Sequence, residues 1–358
     1  MADAEGTIEV VRQHLRTWGS GADISEKRAN EAGSSSRSSE YELGDTFSVD
    51  SSITQYRIEN GRRYHAYKDG LYWAPNDERQ NENLDISHHK YLLCLDHKLV
   101  LAPIDDNIEV RNLLISQSSK LGLQGLFKRA LDIGTGTGIW AIDFADEHPN
   151  TEVIGTDLSP IQPSLVPPNC RFEIDDATDE WTYPTNYFDF IHIRALFGSI
   201  QDWTALYAQA FKHLKPGGWI EHVEGSIEIK CDDGSLAADN PLRTFTDAGA
   251  INGQIFNVTD IMMPKIREAG FVNTVEQVFK VPLGGWPADV KLRELGQWAL
   301  LGFDTGLEGY SLATLTRVLG WSPTQVHVFL AQLRVAVRDR RTHSYHEIKV
   351  VYAQKPLQ

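Results

Sequence analysis

The sequence predicts an α/β domain built on a largely parallel sheet with helices on both faces. Three observations carry that reading. Short apolar runs alternate with helical segments from residue 130 onward, a glycine-rich turn follows the first run, and successive runs end on acidic residues.

Ala130–Ile133 is a short strand and Ile139–Glu147 a helix. Val153–Thr156 is a second strand ending at Asp157. Cys170–Ile174 is a third, ending at Asp175-Asp176, and Phe188–Ile193 a fourth. Trp203–Leu214 is a helix that Pro216-Gly217-Gly218 stops, before a fifth strand at Trp219–Val223. Beyond it, Pro241–Gly253 and Ile261–Ala269 read as helices and Phe271–Val281 as a strand. Lys291–Phe303, Ser311–Leu319 and Pro323–Arg340 read as a helical insertion, and Glu347–Ala353 as a final strand.

The N-terminal part is organised differently. Residues 1–45 form an arm in which Ile8–Trp18 has helical spacing, while GSSSRSS at 33–39 is too polar to offset the entropy of ordering. Residues 46–125 form an extension. Aromatic runs separated by Asn60-Gly61 and Asp69-Gly70 predict a hairpin, and residues 77–100 predict a helix through Leu84, Tyr91, Leu92, Leu95 and Leu99. Residues 126–358 then make the main domain, with helical caps near 235–270 and 288–342.

Composition narrows the function classes. Lysine and arginine number 34 against 49 aspartates and glutamates, a net charge of −15. An acidic surface repels phosphate backbones and anionic lipid, so nucleic acid and membrane are poor partners. Cys94, Cys170 and Cys231 are scattered with no CxxC spacing, which suggests neither a metal site nor a disulfide framework. Reduced thiols and the lack of a basic-then-apolar start fit a cytoplasmic or nuclear location.

The chemistry centres on Asp132-Ile133-Gly134-Thr135-Gly136-Thr137-Gly138. Glycines let the backbone turn tightly and approach a ligand, and the following helix offers free amide hydrogens. Such a loop alone suits a nicotinamide enzyme, a flavoprotein or a methyltransferase. The spacing is GxGxG; Ile139 stands where the dinucleotide fingerprint needs its last glycine. Asp132 can reach the amino group of S-adenosylmethionine, whereas it would repel a pyrophosphate, and it can also serve only to fix the loop. Asp157 can accept both ribose hydroxyls, a feature shared with NAD enzymes. Asp176, followed by Ala177, is placed to meet the adenine amino group, with Asp175 more solvated. Thr135 and Leu158 complete the cofactor set.

At this point the chain resembles a known family. LDIGTGTGIWAIDFADEHP, VIGTDLSPIQPSLVPPNCRFEIDDATDEW, FDFIHIRALFGSI and LKPGGWIE are similar to the fungal LaeA-like (TAM-domain) class I methyltransferases. So are YRIENGRRYHAYKDGLYWAPNDE, FKVPLGGWPAD and LTRVLGWSP, so that the resemblance spans roughly 53–356. It implies a Rossmann-like seven-stranded sheet with the last strand antiparallel, S-adenosylmethionine as methyl donor, and Gly134, Gly136, Gly138, Asp157 and Asp176 as cofactor residues. The family includes regulators of secondary metabolism and enzymes that methylate small natural products. The sequence departs from it at Thr244–Val258, where the family carries a more polar helix.

Methyl transfer is a direct displacement that chiefly needs alignment, with a general base when the acceptor is a hydroxyl. His192 and His222, near the ends of the fourth and fifth strands, are the candidate bases. Arg194 shares a strand face with His192 and is a candidate for the cofactor carboxylate or the substrate. Of His88-His89, one side chain is expected at the cofactor pocket, and Trp73, Trp286 and Trp298 are candidate walls of an apolar substrate pocket. The leading function is therefore methylation of a small fungal metabolite. The alternatives are a LaeA-like regulator acting through a protein partner or a second copy of the chain, for which the polar arm is the motive, and a methyltransferase fold used for isomerisation or pericyclic chemistry.

Overall fold

The computed structural model describes residues 56–68, 72–104, 128–236, 251 and 253–357. The arm at 1–45, the Asp69-Gly70 turn and nearly all of the helix predicted at 241–253 lie outside them. All of the described residues belong to the unit from Val49 to Gln358.

A two-stranded hairpin opens it, β1 (Arg57–Glu59) and β2 (Arg62–Tyr64), turned at Asn60-Gly61 where both residues have positive φ. Helix α1 (Glu78–Cys94) follows, N-capped by the Asp77 side chain. The main sheet contains β3 (Lys128–Ile133), β4 (Thr151–Asp157), β5 (Cys170–Ile174), β6 (Phe188–Arg194) and β7 (Leu214–Gly225). Short β8 (Lys230–Cys231), β9 (Val272–Pro282) and β10 (Ser344–Gln354) complete it. Strand order is β5-β4-β3-β6-β7-β10, parallel up to β7, with β10 antiparallel to β7 and β9 antiparallel along its other edge. The two-residue β8 pairs with the start of β10 as an eighth strand beyond the seven predicted.

Strand alternation assigns the two faces. Leu131, Ile133, Ile191 and Ile193 pack beneath α3 (Trp203–His213) and α4 (Val258–Glu268). Ala130 and Phe190 face the other way, onto Trp140, Ala141 and Phe144 of α2 (Ile139–Glu147). Asp132 and His192, in register with one another, belong to this second face.

The insertion differs from the sequence reading. The two helices predicted at Lys291–Phe303 and Ser311–Leu319 are one, α5 (Val290–Arg317), followed by α6 (Pro323–Arg338). Gly306 and Gly309 fall in the gap between the two predicted helices, where a mid-helix glycine costs roughly 1 kcal/mol against alanine, and Gly302 lies near the end of the first. Here they line the contact with α1. A Cβ at Gly306 would lie 2.5 Å from Asn83 Oδ1, and one at Gly309 would collide with Gln80 Oε1. Asn83 Nδ2 donates to Gly302 O at 2.6 Å and Thr305 Oγ1 at 2.8 Å, and Tyr310 donates to Asn83 Oδ1 at 2.6 Å. Gly306→Ala should therefore lower stability by about 1–3 kcal/mol, the cost of overpacking a tight contact, read as a fall in denaturant midpoint at unchanged m-value; a neutral outcome would mean that α1 and α5 do not approach this closely.

Candidate active site

The parallel strands fan out in opposite directions from β3 and β6, and that switch point opens a crevice beyond their C-terminal ends. A cavity of about 350 Å3 occupies it, a size suited to a nucleotide-like ligand. Its walls include Asp132, Gly134, Thr135, Gly136, Asp157, Leu158, Asp176, Ala177 and Arg194. The tenth predicted cofactor residue, Gly138, does not line it. Gly138 opens α2 in the left-handed conformation, and a side chain there would strike the Phe172 ring.

The turn is held from several sides. Gly134 and Gly136 sit at φ +66° and +60°, where only glycine is unstrained. Gly136 N–H donates to Asp157 Oδ2 at 2.8 Å, and Ser159 N–H to Asp157 Oδ1 at 2.9 Å. Thr135 Oγ1 donates to Asp132 Oδ2 at 2.6 Å, and Thr137 Oγ1 to Asp85 of α1 at 2.8 Å. Burial pushes the Asp157 carboxyl up to about 6 against these backbone hydrogen bonds. Asp176 also feels burial, but Lys68, 2.7 Å from Oδ2, together with Thr178 holds its carboxyl below the ordinary range. Asp175 is pushed upward by burial.

The lining is acid-rich: Asp132, Asp157, Asp175, Asp176 and Asp202 face Arg194. Such a surface favours a ligand carrying cationic groups and disfavours a pyrophosphate. Arg194 donates to His88 Nδ1 at 3.1 Å and lies 5.1 Å over the Tyr91 ring. Because a guanidinium only donates, Nδ1 accepts and Nε2–H is left to donate to Asp143 at 2.9 Å. Burial lowers the His88 pKa, in keeping with that neutral tautomer. His88 is thus the member of the His88-His89 pair at the cavity; the His89 ring packs at a tilt against Trp298, with centroids 4.1 Å apart.

Neither candidate base lines the cavity. His192 lies two residues deeper than Arg194 on the same face, stacked on Trp140 at 3.7 Å with its Nδ1 2.7 Å from Asp132 Oδ1. Burial drives its pKa down to about 4, so it is a neutral donor to Asp132 at physiological pH. His222 is on the opposite face, against Trp203, with Nδ1 2.7 Å from the Tyr207 hydroxyl and Nε2 3.3 Å from Glu224. Alternation places His192 on the face of Arg194 but says nothing about depth, and both rings are sealed by aromatic neighbours.

A second cavity of about 190 Å3 adjoins the first, sharing Tyr72, Leu84, Ser87, Tyr91 and Ala195 with it. Trp73, Phe197, Phe256, Phe303, Leu307 and Tyr310 form its apolar wall. The Trp73 ring is 5.6 Å from Phe197, 5.6 Å from Phe256 and 5.5 Å from Tyr310. Trp73 is where an apolar pocket was expected. Trp286, which donates to Ser344 O at 3.0 Å, and Trp298 are not in its wall. Phe256 comes from the divergent Thr244–Val258 stretch, most of which lies outside the described residues. Ser87, Lys90, Tyr91 and His346 were not anticipated as lining from sequence, because α1 and β10 carry no motif and meet the cavity only after folding.

A family model described as a methyltransferase domain matches residues 104–262. The methyltransferase pytC of Aspergillus terreus is 37% identical over 314 residues, covering 86% of this chain and 91% of its own length. The chain belongs to the LaeA-like methyltransferase family. The secondary metabolism regulator LAE1 of Cochliobolus heterostrophus is 36% identical, over 84% of this chain and 95% of its own. The protein-methionine methyltransferase laeA of Emericella nidulans is 32% identical, over 87% and 79%. This member is accordingly an S-adenosylmethionine-dependent methyltransferase with a class I fold. Among the described residues no helix is long and apolar enough to cross a membrane.

The geometry of His192 makes a specific prediction. His192→Leu removes one of the two donors to a buried carboxylate, which should cost about 1–3 kcal/mol of stability. With a pKa near 4, His192 should add no inflection to the activity profile between pH 6 and 8. An inflection in that range that disappears in His192→Leu would restore it as a base.

Proposed function

We propose that this chain transfers the methyl group of S-adenosylmethionine to a small, largely apolar metabolite of fungal secondary metabolism. The observation that carries the reading is contiguity: an acid-lined cavity at the glycine turn adjoins an aromatic one, and Tyr72, Ser87 and Tyr91 line both. An aromatic pocket of this size beside the glycine turn suits a ring-bearing small molecule. The methyltransferase pytC, matched over nearly its whole length, supports methyl transfer as the reaction.

In this reading the turn at Gly134, Thr135 and Gly136 brings backbone close to the cofactor, with Gly138 opening the helix behind it. Asp132 receives the amino group of its methionine part, and Arg194 its carboxylate. Asp157 accepts the ribose hydroxyls through lone pairs not used by Gly136 and Ser159. Leu158, Asp176 and Ala177 hold the adenine. The bound cofactor supplies a methyl group already activated on a sulfonium sulfur. What remains for the protein is to orient the acceptor and exclude water, tasks that the aromatic wall suits.

Two measurements test the proposal. Incubation with methyl-labelled cofactor and fungal metabolite extracts should move label into a small organic product; label found only in protein would overturn the small-molecule reading. Affinity for S-adenosylhomocysteine should also fall with acidity. Asp157 must be a carboxylate to accept hydroxyls and its carboxyl sits near 6, so binding weakens as pH drops below 6, by up to roughly tenfold per unit. Calorimetry from pH 5 to 8 reads this directly, and a flat profile would remove Asp157 from the ribose site.

A further inference from the structure

The aromatic cavity contains one feature that an apolar acceptor does not need. Lys90, on α1 between His88 and Tyr91, reaches into its wall. Among the described residues no carboxylate forms an ion pair with it, and the Tyr91 ring lies 4.6 Å from its ammonium. Glu224, the buried carboxylate whose charge it feels, is already engaged by the N–H groups of Leu196 and Gly225 and by His222. His346 of β10 lines the same wall, and its ring and the Tyr91 hydroxyl both lie about 4 Å from the Cβ position of Gly225.

We propose that Lys90 determines acceptor specificity by pairing with an acidic oxygen, so that the acceptor is a ring-bearing molecule with a carboxylate or similarly acidic group. This rests on the methyltransferase reading above and adds the charge of its substrate. An aromatic chamber without cations would favour positively charged amines through the ring faces. Lys90 from α1 reverses that preference. Of the other groups facing Lys90, Cys94 and Tyr91 on α1 and His346 on β10 carry no charge near pH 7. His346 is held down to about 3 by burial and by Lys90 itself, and burial pushes the Cys94 thiol up to about 12 and the Tyr91 hydroxyl well above its usual range. Burial brings the Lys90 ammonium down to about 8, which leaves it mainly cationic at pH 7. An unpaired ammonium in an apolar wall is costly, and an anionic partner relieves that cost more than a neutral one can.

The test uses the full chain saturated with S-adenosylhomocysteine and three probes of one shape: 2-naphthoic acid, 2-naphthamide and 2-naphthylmethylamine. Tryptophan fluorescence at pH 7 should give the acid about tenfold tighter binding than the amide, with the amine weakest. Lys90→Met should bring acid and amide to within about twofold while S-adenosylhomocysteine affinity stays at the wild-type value. Equal binding of acid and amide by the wild-type chain, no binding of any probe, or an acid preference that survives in Lys90→Met would overturn the proposal. Failure of the wild-type chain to bind S-adenosylhomocysteine would instead remove the methyltransferase reading beneath it.

Discussion

The approach of α1 to α5 is the constraint on which both cavities depend. Gly306 and Gly309 of α5 leave room for Asn83 and Gln80, and the Asn83 amide then locks to the α5 backbone at Gly302. The hairpin adds to this clamp: Arg62 pairs with Asp77 at the start of α1 and Arg317 near the end of α5 pairs with Glu59. Held there, α1 offers Leu84, Ser87, His88 and Tyr91 to the cofactor side and Lys90 to the aromatic side. The extension before the sheet is thus part of the active-site wall. It also grips the glycine turn directly, through Asp85 and Thr137.

A second theme is the anchoring of buried carboxylates. Asp132 is bonded by Thr135 and His192, Asp157 by backbone amides, and Asp176 by Lys68 and Thr178. Glu221, fully buried, accepts from the N–H groups of Leu101 and Ala102, and burial pushes its carboxyl up to about 7. Each hydrogen bond offsets part of the cost of removing a carboxylate from water. The result around the cavity is a fixed negative field with little freedom to reorganise, which is what a ligand with cationic groups requires.

Much of this was legible before folding. The parallel core announces itself through alternation and strand-end acids, and the short-range turn Gly134–Gly138 needs only local backbone chemistry. The errors have equally physical origins. The glycines of α5 look like helix breaks because propensity is local, whereas their value is a contact with a helix more than two hundred residues away in sequence. His192 shares its face with Arg194 but lies deeper, stacked on Trp140 outside the cavity lining, since a strand pattern gives direction without depth. The aromatic wall draws on α1, the β6 end, the divergent segment and α5 together, and no periodicity links such distant pieces.

The sequence by itself therefore determined the sheet, the glycine turn, the acids at the strand ends and, through them, the methyl donor. These depend on neighbours within a few residues and on a two- or 3.6-residue repeat, which a linear string preserves. Tertiary structure decided which histidine meets the cavity, that α5 is a single helix, and that Lys90 shares an aromatic chamber with His346. Burial and long-range packing set those outcomes, because the environment of a side chain exists only once distant segments have been brought together.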